Sequence, residues 1–300
     1  MSCVGAADSA EHQPSHDSTH QPDPPDASWI VGDACPGLTA FIMTASARDL
    51  AQWLDARLGV TGHPDYPGAL NGLQFDHRGP VRRIASAVDA SLRSIAGAAE
   101  SGANFMIVHH GLFWGGSQRV TGPVYERFRL LIDADVALYS AHLPLDSHPE
   151  LGNNVLLARE LGLESTREFA IYHGVAIGVS GEADRLTADL IAAARAFASR
   201  HGGDVRTTAT QPGRRTRRWA ICTGAGASTE TLREAEERGV DTLIVGEGPH
   251  HTAVEAPERG IVVIQAGHYA TETLGVRAAA DLVSAEFGLP GQFVDVPTGF

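Results

Sequence analysis

The 300-residue chain carries a formal net charge of −13 and is 43% hydrophobic, which allows a substantial core in one large or two smaller domains. Its acidic balance repels phosphate backbones and anionic bilayers and so argues against nucleic acid as a partner. Three cysteines without CxxC spacing exclude a disulfide framework and a thiolate zinc site, and no apolar run reaches the roughly 18 to 20 residues of a membrane span, so a reducing, cytoplasmic setting without membrane contact is expected.

Residues 1–42 are rich in Pro, Asp, Ser and His and lack apolar periodicity, which predicts a disordered tail. His12, His16 and His20 recur every four residues, but Pro14 and Pro22 argue against a helix that would gather them. The first α/β half is expected over 44–155 and the second over 165–297. Leu50, Trp53, Leu54 and Leu58 fall at helical spacing, with Ser46 as N-cap and Gly59 as stop. A loop with Pro64, Pro67, Gly68 and Asn71–Phe75 follows. Next come a strand over Ile84–Val88, a helix over Ser91–Ser101 and a buried strand over Phe105–Val108. Alternating strands and helices predict an α/β fold with mostly parallel or mixed sheets. The dense basic cluster Arg214, Arg215, Arg217 and Arg218 reads as a solvated turn before a strand.

Compared with itself at an offset of 137, the chain repeats: Ile84, Ala90, Ser91, Ala98, Glu100, Gly102, Ile107, Val108 and Gly111 match Ile221, Ala227, Ser228, Ala235, Glu237, Gly239, Ile244, Val245 and Gly248. At an offset of 126, His142 and Asp146 align with His268 and Glu272. Each pair follows an apolar run, Val136–Tyr139 in the first half and Ile261–Ile264 in the second. Duplication thus puts a His-x-x-x-carboxylate after a strand in both halves, where open α/β sheets bind ligands.

His109 and His110 directly follow the strand Phe105–Val108. Neighbours on an extended chain point to opposite sides, so the two rings suit two adjacent ions better than one. His268 and Glu272, four apart at a helix start, share one face and form a half-site suited to zinc, manganese or iron. Asp146 adds the second carboxylate that two cations require. Taken singly, each pair also has a plain reading, as a buried hydrogen-bonded histidine or a helix-surface pair.

His109-His-Gly-Leu-Phe-Trp114, Ala141-His-Leu-Pro-Leu-Asp146, Leu151-Gly-Asn-Asn154, Gly246-Glu-Gly-Pro-His-His251 and Gly267-His-Tyr-Ala-Thr-Glu272 together resemble the NIF3-like family, often labelled GTP cyclohydrolase I type 2 homologues. The resemblance runs from about Ser46 to Val296. It implies two divalent metal ions per subunit, His110 and Asp146 on one, His109 and His268 on the other, and Glu272 bridging. It also implies a toroidal homo-oligomer, commonly a hexamer. Val245-Gly-Glu247 replaces the Thr-Gly-Glu of many relatives, and only about 70 residues separate Asn154 from Cys222, so the chain resembles the short form without an inserted domain.

His142, Glu247, His250 and His251 are the candidate catalytic residues. His142 stands one turn from Asp146, and the other three occupy the strand end equivalent to His109 and His110, where they should line the same cleft. An ordinary structural hydrogen bond explains His142 equally well. Phe113 and Trp114 could stack on a planar ring or simply pack. Asn71 and Gln74 could touch a ligand or form a turn. The resulting expectation is a metal-dependent hydrolase acting on a small-molecule substrate, nucleotide-like or cyclic. A non-catalytic metal-binding scaffold or regulatory interaction protein, and a phosphoester hydrolase, are the alternatives.

Overall fold

Ser46 opens the folded chain: its hydroxyl accepts from the Asp49 amide while the Asp49 carboxylate accepts from the Ser46 amide, a capping box that starts α1 (Ala47–Leu58). Gly59 ends it at φ 64°, a left-handed conformation that glycine adopts without strain. The computed structural model describes residues 45–300; the tail expected over 1–42, with His12, His16 and His20, lies outside the described residues.

Beyond α1 come β1 (Gly72–Phe75), β2 (Ile84–Asp89), α2 (Leu92–Glu100), β3 (Phe105–His110), α3 (Pro123–Asp133), β4 (Ala137–Ser140), α4 (Leu143–Asp146) and α5 (Asn153–Glu160). The chain continues through β5 (Arg167–Tyr172), β6 (Val175–Leu186), α6 (Thr187–Arg200), β7 (Arg206–Thr207), β8 (Arg215–Cys222), α7 (Thr229–Glu237), β9 (Thr242–Val245), α8 (His250–Glu258), β10 (Val262–Gln265), α9 (His268–Phe287) and β11 (Gly291–Phe293). Five strands form one sheet in the order β1-β4-β3-β2-β11, and six form another in the order β5-β6-β8-β9-β10-β7. Within each, three central strands run parallel, β2-β3-β4 and β8-β9-β10, while β1, β6 and β7 join their neighbours antiparallel. The fold is mixed α/β. The arginine cluster expected in a turn mostly belongs to β8, which begins at Arg215; Arg215 pairs with Asp184, and Arg214 donates to the carbonyls of Asp241 and Gly260.

The internal repeat is visible in the caps and the register. Ser91 with Ser94, and Ser228 with Thr231, build equivalent capping boxes at the starts of α2 and α7. Phe105 and Thr242 stand 137 apart, but their partners on the preceding strand, Ile84 and Trp219, stand 135 apart. The offset of 137 therefore holds for α2 and β3, whereas β2 and β8 match two residues earlier than Ile84 with Ile221. A slip of two leaves every side chain on its original face, and the two extra residues fall in the loop between β8 and α7.

Alternate residues of each central strand feed different cores. Ile84, Phe105, Ile107 and Tyr139 pack with α1 and with Val276, Ala279 and Val283 of α9, while Ala85, Met106, Val108 and Leu138 pack with α2 and Leu131 of α3. The second sheet repeats this, Trp219, Ile221, Ile244 and Ile264 lying against α5 and α6, and Ala220, Leu243 and Val263 against α7 and α8. The expected division between 44–155 and 165–297 is crossed by the C-terminal segment. The chain from α9 to β11 completes the first sheet's inner face and edge, with Gly291–Phe293 parallel to Ile84–Ser86, while Leu157 and Ala158 of α5 join the second sheet's core. A strand edge and an exposed apolar face in one repeat are satisfied by elements of the other.

Asn153 and Asn154, both fully buried, fasten this crossing. Asn153 donates to Asp146 Oδ1 and accepts from the Gly275 amide of α9 at 2.7 Å. Asn154 donates to the Ile177 and Asp146 carbonyls and accepts from the Thr223 amide at 2.8 Å. Leucine at position 154 would strand a buried N–H and two carbonyls, so Asn154→Leu is expected to lower unfolding stability by about 2 to 4 kcal/mol in urea titration; a loss within experimental error would show that these bonds do not hold the halves together.

Candidate metal centre

The carboxyl ends of the parallel strands in both sheets converge on Glu272, in the second turn of α9. Its carboxylate is only 2% exposed. Oε1 stands 3.5 Å from His109 Nε2, and Oε2 stands 3.5 Å from His110 Nε2 and 3.2 Å from His268 Nε2. Asp146 Oδ2 lies 3.4 Å from His109 Nε2. The structure thus brings His109, His110, Asp146, His268 and Glu272 together. His109 and His110 leave opposite faces of β3, yet their rings stand 4.8 Å apart because the centre sits beyond the strand end, within reach of both.

These separations are long for hydrogen bonds, and His109 Nε2 and Glu272 Oε2 are buried without a hydrogen-bond partner. Two ligand atoms each about 2.1 Å from one ion stand roughly 3.4 Å apart at a tetrahedral angle. The donor atoms are therefore spaced as ligands around cations, and their nitrogen and oxygen chemistry fits zinc, manganese or iron.

The nitrogen facing away from the centre is fixed for each imidazole. His109 Nδ1 donates to the Ala141 carbonyl at 2.9 Å, His110 Nδ1 to Asp89 Oδ1 at 2.9 Å and His268 Nδ1 to Glu247 Oε1 at 2.7 Å. A carbonyl can only accept, so Nδ1 of His109 carries hydrogen and Nε2 is the atom left for a ligand. Asn153 likewise holds Asp146 Oδ1, freeing Oδ2. The distances group His109 with Asp146 and Glu272 Oε1, and His110 with His268 and Glu272 Oε2. This differs from the pairing of His110 with Asp146 that the resemblance implied. Its cause is the outer anchors: Ala141, just before α4, turns His109 toward Asp146, whereas Asp89 on β2 turns His110 toward Glu272.

Burial opposes charge on His109, but the carboxylates of Asp146 and Glu272 outweigh it and hold the imidazole pKa well above its ordinary value. Burial likewise opposes the Glu272 carboxylate, and His110 and His109 outweigh it, pushing its pKa well below the usual range. For His268 the opposition of burial is overcome by Glu272 and then Glu247, raising the pKa to about 9. Without metal, protons supply the positive charge that the two carboxylates demand.

The centre opens into a cavity of about 320 Å³ lined by Tyr66, Trp114, His142, Ile177, Cys222 and the loop Thr223–Gly226, among others. His142 faces it: a ring nitrogen lies within 4.8 Å of ring nitrogens of His109 and His110. Its Nδ1 donates to Asp65 Oδ1 at 2.7 Å, and its amide donates to Asn71 Oδ1. Burial works against the Asp65 carboxylate, yet bonds from His142, Asn71 and the Leu143 amide hold it below the ordinary range. Gln74 accepts from the Leu112 amide and donates to the Ala69 carbonyl, so it braces the loop after His110. Phe113 packs on the first sheet's outer core, while Trp114 stands at the cavity with its ring edge-on to His142, 4.7 Å between centroids. His250 and His251 are exposed in the first turn of α8 and do not line the cavity as expected, and Glu247 reaches the centre only through the outer nitrogen of His268.

Sequence reasoning missed Asp65, Asp89 and the Thr223–Gly226 loop. Asp89 was detectable, as a carboxylate at the end of a strand beside the His109–His110 strand; Asp65 sits in an aperiodic Pro-rich loop that gives no such signal. At Gly224, φ is 61° and an added Cβ would lie 2.1 Å from Glu272 Oε1, so the two-residue expansion of this repeat closes directly over the Glu272 carboxylate.

The profile of Duf34/NIF3 (NGG1p interacting factor 3) matches residues 46–297. The chain belongs to this family. A Deinococcus radiodurans protein called a GTP cyclohydrolase 1 type 2 homolog is 43% identical over 264 residues, covering 84% of this chain and 93% of that relative. A Pyrococcus horikoshii protein of the same description is 40% identical over 251 residues, covering 84% and 98%. Among solved structures, the protein ybgI, described as of unknown function, superposes on this NIF3-family chain with a TM-score of 0.76 at 33% identity, covering 85% of this chain and all of the other. TTHA1606 from Thermus thermophilus gives 0.74 at 35% identity with the same coverage.

A histidine whose folded pKa is raised adds stability that is complete below its unfolded pKa of about 6.5 and lost as pH rises through the folded value. With His268 raised to about 9, chelator-treated protein is expected to lose up to about 3 kcal/mol between pH near 6.5 and 9. Metal-loaded protein, in which a cation replaces the proton, should not. Superimposable stability profiles for the two forms in denaturant titrations would contradict this.

Proposed function

We propose that this protein is a metal-dependent hydrolase that holds two divalent cations, zinc, manganese or iron, and opens a small cyclic substrate in the cavity beside them. The observation that carries this reading is Glu272, a buried carboxylate with three imidazole Nε2 atoms at 3.2 to 3.5 Å, facing a cavity. His109, Asp146 and Glu272 would hold one ion, and His110, His268 and Glu272 the other. When bound, such ions lower the pKa of a coordinated water to about 7 and polarise the bond under attack.

The chain's own side chains divide the remaining work. His142, oriented by Asp65, presents Nε2 to the cavity, where it can hold or deliver a proton at the substrate. Asp89, Glu247 and the Ala141 carbonyl fix the ligand rings, which need not reorganise during reaction. Trp114 and Tyr66 form an aromatic wall that shields the centre from bulk water. From the descriptions of the relatives, this reading takes only the reaction class, hydrolytic ring opening. From the family resemblance it takes a toroidal homohexamer, and from the cysteine usage a reducing, cytoplasmic setting.

Metal analysis of purified protein with a substrate screen tests the proposal. Wild type is expected to carry two equivalents of metal, and Glu272→Ala to lose both. His142→Gln should keep the metal and lose turnover by about 100-fold or more. A wild type that takes up no stoichiometric metal after reconstitution would overturn the centre. Full metal occupancy with no hydrolysis across cyclic amides and phosphoesters would favour a scaffold instead.

A further inference from the structure

We infer that the cavity takes a small, planar, phosphate-free ring, bound against Trp114 and Tyr66, and not a nucleoside triphosphate. The inference rests on the metal-centre reading above for the position of the reacting atoms. It separates this chain's chemistry from the GTP in its relatives' descriptions.

Charge is the first argument. The chain contains no lysine: all 23 of its cationic side chains are arginines, and all lie within the described residues. None of them lines the cavity. Recognition of a triphosphate ordinarily needs Arg or Lys forks or a nest of backbone N–H groups. The loop over the centre carries no Arg, and of its amides only those of Ala225 and Gly226 are left without a bond. The amide of Thr223 is already bonded to Asn154, that of Gly224 to Thr271 and that of Ala227 to the Glu247 carbonyl. Two divalent ions against Asp146 and Glu272 leave a net charge of about +2, but that charge sits on the atoms that would act on the ring. Phosphates attached to such a ring would extend outward along the aromatic and aliphatic wall, where nothing neutralises them.

Shape is the second argument. At about 320 Å³ the cavity lies at the small end of the roughly 300 to 1,000 Å³ typical of ligand sites. Its wall carries two large aromatic side chains left partly open, Tyr66 at 48% exposure and Trp114 at 38%. The Tyr66 ring lies 6.0 Å from that of His142 and 6.4 Å from that of Trp114, and Tyr172 backs it at 5.1 Å. Leu143, Ile177 and Ala225 complete an apolar lining that solvates a flat ring face and penalises an anion. His110, His142, Asp146, His268 and Glu272 gather the ionisable groups at the metal end, so the ring would enter with its reactive edge toward His142 and Glu272.

Tryptophan fluorescence of metal-loaded protein provides the test, because among the described residues the other tryptophans, Trp53 and Trp219, pack into the interlayer cores, and comparison with Trp114→Phe isolates the signal of Trp114. The probes are a panel of uncharged five- and six-membered heterocycles with ring carbonyls, including hypoxanthine, set against inosine triphosphate and inorganic triphosphate. At least one bare ring is expected to quench wild type, with the saturable component absent in Trp114→Phe. The triphosphate should bind no more tightly than its own base. Tenfold tighter binding of the triphosphate, displacement of the ring by inorganic triphosphate, or no quenching by any ring would overturn the inference. If the protein binds no metal, the underlying centre fails. If two ions are present and rings do not bind, this inference fails while the metal centre stands.

Discussion

Glu272 places a carboxylate where almost no water reaches it, and such a charge is stable only when matched. The fold matches it with imidazoles from three directions, two at the end of β3 and one from its own helix. Each imidazole would itself be costly to bury without a second hydrogen bond, which Ala141, Asp89 and Glu247 provide. The requirement then passes outward: Asp146 is fixed by Asn153, and Asn153 is fixed by the Gly275 amide on the same helix as Glu272. A single buried charge thus determines the side chains at several strand ends and explains why polar residues interrupt otherwise apolar cores there.

The two repeats solve this problem in different ways. His142 and His268 occupy equivalent positions, and each has Nδ1 held by a carboxylate at 2.7 Å, Asp65 for one and Glu247 for the other. Yet His268 stands against Glu272, while His142 looks into the cavity. Where the first repeat has His110 at the end of its strand, the second has Glu247 just beyond its own, so a residue facing the centre in one copy corresponds to an outer anchor in the other. The two residues added between β8 and α7 extend the asymmetry by covering one side of the centre and leaving the His142 side open. Duplication supplied a symmetric cradle, and its divergence produced one guarded face and one accessible face.

Much of this was legible in the sequence because local rules and the global fold agree. Ser46 announces the first helix as its cap, the apolar runs at 105–108 and 261–264 announce buried strands, and self-comparison relates His142 and Asp146 to His268 and Glu272 before any coordinates. The hairpin of β5 and β6 was not read from the sequence although Phe169–Tyr172 and Val175–Ile177 are apolar, because its strands are partly exposed and pair antiparallel through a turn at His173 with positive φ. Register was read two residues out in β8 because Ile84 and Ile221 are alike in type, whereas strand pairing depends on hydrogen-bonding partners. The grouping of ligands depended on Asp89 and the Ala141 carbonyl; a backbone oxygen leaves no trace in residue type. His250 and His251 were drawn into the site by proximity in sequence, but a helix starts at His250 and carries both outward.

The exchange of α9 and β11 bears on the order in which the molecule can assemble. A chain emerging from a ribosome presents its first sheet with an inner face covered by α1 but not yet by α9, and with the edge at β2 unpaired, until residues near 290 arrive. Parallel pairing of β11 with β2 spans about 200 positions of sequence, so loop closure makes it a late event. The nascent protein therefore passes through an interval in which an apolar surface and a strand edge await their cover. Glu272 arrives on the same segment, so enclosure of that surface and completion of the ligand set belong to one closing step.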